Sequence, residues 1–136
     1  MIIILDANVI IAAFASRGLC SDLFRFAVSS CKIVGSIELL EECRRTLCNK
    51  LKLPDENIKN IISYLEKEFQ IIEPGVVESN ACRDAEDLHV LGVAQAANAQ
   101  FIITGDKDLL ILKKFKTIKI YSPRQFWTYI QSASLK

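Results

Sequence analysis

The sequence predicts an α/β protein, with a parallel sheet covered by helices on both faces, and three observations carry that prediction. Short apolar runs rich in β-branched residues recur along the chain, helical patterns separate them, and acids stand where two of the runs end. The 136 residues supply one core and leave little room for a second, so a single domain over 1–136 is expected. At 51% hydrophobic and 24% charged, the composition excludes a disordered chain.

Residues 2–5 (IIIL) form a continuous apolar run ending at Asp6, the mark of a strand buried on both faces. Asp6 and Asn8 interrupt it long before the ~20 residues a spanning helix needs, so no membrane segment is expected. The start also lacks the basic stretch and small-residue cleavage site of a secretory signal. Helical patterns follow over 8–15 and 20–30, and KIV at 32–34 reads as the second strand. Ser36 is placed to cap a helix over 37–51, whose buried stripe is Leu39, Leu40, Cys43 and Leu47. Pro54-Asp55 opens the next helix, over 55–68, and FQII at 69–72 is the third strand. After the Pro74-Gly75 loop come a helix over 86–99, a strand at 101–103 (FII), a helix over 107–114 and a strand at 118–121 (IKIY). Pro123 suits the first turn of a final helix. Five strands are expected.

The charge is nearly balanced, with 17 basic and 16 acidic residues, but it is unevenly spread: 10 basic and 14 acidic up to residue 100, then 7 and 2. The later cations, Lys107, Lys113, Lys114, Lys116, Lys119 and Arg124, fit either a track for a phosphate backbone or an ordinary solvated face. The five cysteines contain no CxxC pair, and His89, the only histidine, stands without an expected orienting partner, so neither a zinc site nor a nucleophile constellation is predicted. Reduced, mostly buried thiols and a cytoplasmic setting fit this cysteine usage.

Chemistry in an open parallel sheet gathers at the carboxyl ends of the strands, where Asp6 and Asp106 stand. Either one taken alone is equally at home as a turn former or helix cap. Asp87 shares a helical stripe with Val90, Leu91 and Ala94 and so faces the core edge, although an acid also suits the positive first turn of a helix. Glu42 flanks the buried stripe of its helix near Leu39, whereas Glu41 points to solvent; an i,i+3 surface pair with Arg45 is the alternative for Glu42. Four carboxylates converging at one sheet edge must take up protons or a cation. Oxygen-only donors select a hard ion, Mg²⁺ or Mn²⁺, which retains waters suited to phosphodiester hydrolysis. Asp84 and Asp108 are supporting or alternative ligands, and Asp84 is equally placed to cap its helix. Asn8 and Thr104 offer neutral hydrogen bonds to a ligating carboxylate, or serve as plain turn residues.

In order and spacing, ILDANVIIAAF, SIELLEECRRTL, CRDAEDLHVLGVAQAANAQFIITGDKDLLIL and IYSPRQF resemble the PIN domain, and more narrowly the PIN toxins of toxin–antitoxin operons akin to VapC. The resemblance spans nearly the whole chain. It implies a three-layer α/β/α sandwich with a parallel, mostly five-stranded sheet and a Mg²⁺- or Mn²⁺-dependent endoribonuclease site for single-stranded RNA. Position by position it lays the family's four acids on Asp6, Glu42, Asp87 and Asp106, and its supporting positions on Asn8, Asp84, Thr104 and Asp108. It further implies a cognate antitoxin as partner and a homodimer or higher homo-oligomer. A haloacid-dehalogenase-like phosphatase needs a second Asp where Asn8 stands, and a receiver domain needs a phosphorylatable Asp where only Glu73 is offered. The remaining alternative is a non-catalytic RNA-binding or assembly module on the same scaffold.

Overall fold

A computed structural model describes residues 1–82 and 84–134. In chain order the elements are β1 (Ile2–Leu5), α1 (Ala7–Ala15), α2 (Leu19–Ser30), β2 (Lys32–Gly35), α3 (Ile37–Asn49), α4 (Asp55–Glu68) and β3 (Gln70–Ile71). They continue with α5 (Ala85–Ala97), β4 (Phe101–Ile103), α6 (Lys107–Leu110), β5 (Lys114–Phe115), β6 (Ile118–Tyr121) and α7 (Pro123–Ser134). The strands make one sheet in the order β3-β2-β1-β4-β6-β5, parallel except for β5. The result is a three-layer α/β/α arrangement.

The strand order explains where a site forms. From β1 the chain first builds outward through β2 and β3, then returns to the other side of β1 with β4, β6 and β5. The connections therefore diverge at the β1/β4 junction and leave a crevice beyond the carboxyl ends of those strands. Residues Leu5 of β1 and Ile103 of β4 are in register there, and each leads within three residues to an acid, Asp6 and Asp106. Beneath the crevice the sheet is wholly apolar, with Ile3, Ile4, Leu5, Ile102 and Ile103 fully buried. Removing such side chains from water, at roughly 1.5–3 kcal/mol each, is the main force holding the two strand ends side by side.

Local chemistry sets several boundaries. Ser36 accepts a 3.1 Å bond from the backbone N–H of Leu39 and starts α3, as expected. Helix α5 stops at Ala97 because Asn98 adopts the left-handed conformation (φ 54°), returning its N–H to the last turn. Gly92 of α5 lets the loop after β3 come in: its carbonyl accepts from Gly75 N–H at 2.8 Å, and a Cβ there would lie 2.5 Å from the Gly75 oxygen.

Two expectations need correction at the far edge. The sheet has six strands, not five, and the helix expected over 107–114 ends at Leu110. Only Leu109 of its apolar residues is fully buried, whereas Ile111 is exposed, so a second turn would gain little. Lys113 takes φ 63° and sends the chain back as β5, which pairs antiparallel with β6 through a two-residue turn in which Lys116 has φ 56°. All six C-terminal cations singled out in the sequence are exposed, and Lys114 faces Lys119 across this edge hairpin, where charge blunts the sheet edge. None of the five cysteines forms a disulfide, but only Cys43 and Cys82 are buried, and Cys48 is exposed. Among the described residues no single helix is long and apolar enough to cross a membrane.

Candidate active site

Asp6 is the hinge of the site. Only 5% exposed, it caps α1 by accepting the Ala7 N–H at 2.8 Å on Oδ1, while Oδ2 accepts Thr104 Oγ1 at 2.7 Å and Asn8 Nδ2 at 3.2 Å. Thr104, wholly buried, in turn accepts the Asp106 N–H at 2.9 Å, and Asn8 Oδ1 accepts the Gly105 N–H at 2.9 Å. These bonds sew the β1–α1 corner to the β4–α6 corner. Burial still pushes the Asp6 carboxyl above its ordinary range, because the donors offset only part of the desolvation and Asp106 adds repulsion. Asp106 caps α6, accepting the Asp108 N–H at 2.8 Å.

The opposite wall comes from α3 and α5. Asp84 caps α5 through the Glu86 N–H at 2.9 Å, and one turn inward Asp87 is 4% exposed. The Asp87 carboxyl is raised to about 7, first by desolvation and then by the neighbouring Asp106, through a side-chain hydrogen bond and by repulsion. Cys82 adds a weak thiol contact, 3.9 Å from Asp87 Oδ2. Glu42 of α3 is half-buried and pushed up to about 7, first by burial and then by Asp6 and Glu86. Its neighbour Glu41 points away and pairs with Arg44, as the helix register predicts.

Oxygens of Asp6, Asp87 and Asp106 lie within 4.8 Å of one another, and a second group of the same span joins Asp84, Asp87 and Asp108 through Asp87. Glu42 stands outside both groups and lines the same cleft, of about 570 Å³, together with Asp6, Asp87 and Asp106. The structure thus brings all eight sequence-selected residues to one place, three of the four principal acids as a tight set and Glu42 facing them.

A PIN-domain family model matches residues 2–108, which is most of the chain. The chain belongs to the PIN-domain family. No curated protein matches it. PIN domains are generally nucleases and typically use divalent metals. The site of this PIN domain fits such an ion on its own geometry: an all-oxygen donor set, three carboxylates close enough to share one cation, and a mutual repulsion that a cation relieves.

Sequence reasoning missed part of the cleft. Glu86, which faces Glu42, lines it, as do Arg45 and Thr46 of α3 and its C-cap Lys50. The last three lie three, four and eight residues beyond Glu42, on the helical face that Glu42 already marks, so following that face would have found them. The cleft lining does not include the C-terminal cations. His89 has a partner after all, since its Nε2 lies 2.7 Å from Ser36 Oγ. This is no nucleophile pair, because Ser36 is wholly buried and occupied as the α3 cap.

Proposed function

We propose that this PIN domain is a Mg²⁺- or Mn²⁺-dependent endoribonuclease that hydrolyses phosphodiester bonds of single-stranded RNA. The observation that carries the reading is the convergence of Asp6, Asp87 and Asp106 within 4.8 Å at the sheet's topological switch, with Glu42 opposite. In this reading Asp6, Asp87 and Asp106 hold the ion and Glu42 orients the attacking water and takes up a proton. Thr104 and Asn8 keep Asp6 in one rotamer through their hydrogen bonds, while Asp84 and Asp108 share charge with Asp87. A divalent ion bound there supplies positive charge to the phosphate oxygens and makes water a better nucleophile near neutral pH.

The test is incubation of the purified protein with single-stranded RNA in Mn²⁺ and, in parallel, in excess EDTA. Cleavage in Mn²⁺ alone is expected; cleavage that persists in EDTA removes the metal mechanism, and binding without cleavage in Mn²⁺ would favour a non-catalytic RNA-binding module. We propose further that the protein is the toxin of a toxin–antitoxin pair, acting in the cytoplasm as one domain and as a homodimer or higher oligomer, with an antitoxin as partner. The ordered motifs shared with that PIN group support this assignment. Growth arrest on expression, relieved by Asp6→Asn, is the expected result, and unaffected growth would count against it.

A further inference from the structure

The cleft that holds the acids is bipolar, and its basic end comes from one helix. Glu42, Arg45 and Thr46 share a face of α3 that its C-cap Lys50, still in helical conformation, continues, and at ~1.5 Å rise per residue Arg45 lies about 4.5 Å and Lys50 about 12 Å along the axis from Glu42. Both cations are exposed, and among the described residues neither forms an ion pair within 4.0 Å. The contrast with the preceding residue is informative. Arg44 turns to the outer face and is neutralised by Glu41, so two adjacent arginines on one helix have opposite fates. Across the cleft, α1 presents Asn8, Ile11 and Ala12, none of which carries charge. A guanidinium and an ammonium, neither held in a close ion pair, therefore lead out of a carboxylate cluster along an uncharged wall, Arg45 acting on Glu42 only from a distance. Cations in this position suit phosphates that flank the one at the acids, since a guanidinium matches a phosphate through paired N–H donors and an ammonium serves as a point charge.

We propose that Arg45 and Lys50 hold the phosphodiester backbone of single-stranded RNA on one side of the bond to be cut, so that the strand lies along the α1/α3 cleft. The inference rests on the nuclease reading for the place of the cut, but phosphate binding itself needs no catalysis.

The experiment measures binding of a short, mixed-sequence, fluorescently labelled single-stranded RNA in EDTA across a salt series, for wild type, Arg45→Gln, Lys50→Gln and Arg44→Gln. Each phosphate contact on a single strand contributes a slope of about −0.7 in log K against log salt, so the first two variants should each flatten the slope by roughly that amount. Arg44→Gln, on the same helix, should leave it unchanged. In Mn²⁺, Arg45→Gln and Lys50→Gln should raise KM for RNA cleavage with little change in kcat, a split that general damage to the helix would not give. Variants that bind with the wild-type slope overturn the proposal, as does a wild type that does not bind the RNA. Binding that depends on Arg45 and Lys50 without any cleavage in Mn²⁺ supports the phosphate track and removes the nuclease reading alone.

Discussion

The two walls of the acidic cleft meet the same problem, buried negative charge, in opposite ways. On the sheet side Asp6 is surrounded by donors: a backbone N–H, the Thr104 hydroxyl and the Asn8 amide all point at its two oxygens. On the helix side acids meet acids, Glu42 facing Glu86 and Asp87 facing Asp106. Asp6 is thus fixed by the fold itself, through the same bonds by which it caps α1 and joins the β1 corner to the β4 corner. The helix-side carboxylates are comfortable only with a proton or a cation between them. One wall supplies position, and the other supplies an appetite for positive charge.

The largest effects should come from removing charge on either wall. Asp6→Asn is expected to lower RNA cleavage in Mn²⁺ by on the order of a thousandfold, and Glu42→Gln to lower kcat by about a hundredfold, whereas Glu41→Gln should stay within a few-fold. Single-turnover rates under saturating Mn²⁺ compare the three. If Glu41→Gln were the damaging change, the α3 register would be contradicted.

Stability then separates the walls by sign. Thr104→Val keeps the shape but leaves Asp6 Oδ2 and the Asp106 N–H each short of a partner, so unfolding in EDTA should be easier by about 1–3 kcal/mol. Asp87→Asn should do the reverse. It removes a charge that desolvation and Asp106 disfavour, so the metal-free protein should melt a few degrees higher above neutral pH, while its gain from added Mn²⁺ shrinks. A melting point that falls equally with and without Mn²⁺ would reduce Asp87 to a first-turn helix acid.

The smallest effect is a pH profile. The Glu42 carboxyl is raised from 4.5 to about 7 in the folded state, so the folded protein keeps a proton that the unfolded chain gives up between those values. Its contribution to stability is complete below the unfolded value and is lost as pH rises through the folded one. Metal-free protein should therefore lose stability across that window, and Glu42→Gln should make the slope shallower, the remainder coming from the raised carboxyls of Asp87 and Asp6. Thermal melts in EDTA across the window check this, and a wild-type curve that rises with pH there would contradict it.

Most of this arrangement was legible because one local rule served two purposes. Asp6, Asp84 and Asp106 look in sequence like helix caps, and they are helix caps. For Asp6 and Asp106 the position that offers a side-chain oxygen to the first turn of a helix also places that oxygen at the carboxyl end of a strand, so the cap and the ligand readings are not exclusive. Helical phase similarly separated Glu42 from Glu41. Where reading failed, no local rule applied. The apolar spacing of Leu109, Leu110 and Leu112 mimics a helix, but only tertiary burial decides that α6 stops after one turn and that β5 forms. The basic cluster after residue 100 drew attention by its density, yet the cations in the cleft are Arg45 and Lys50, which composition does not distinguish from their neighbours.

Calorimetric titration of the purified protein with Mn²⁺ near pH 7, in two buffers of different ionisation heat, tests most directly whether the helix-side wall exchanges protons for a cation. With Glu42 and Asp87 both raised to about 7, and so each about half protonated there, binding should release about one proton per ion. At about pH 9 the release should vanish, because the carboxylates are then already ionised. Tight binding with the same heat in both buffers near pH 7, or no Mn²⁺ binding at either pH, would contradict the account.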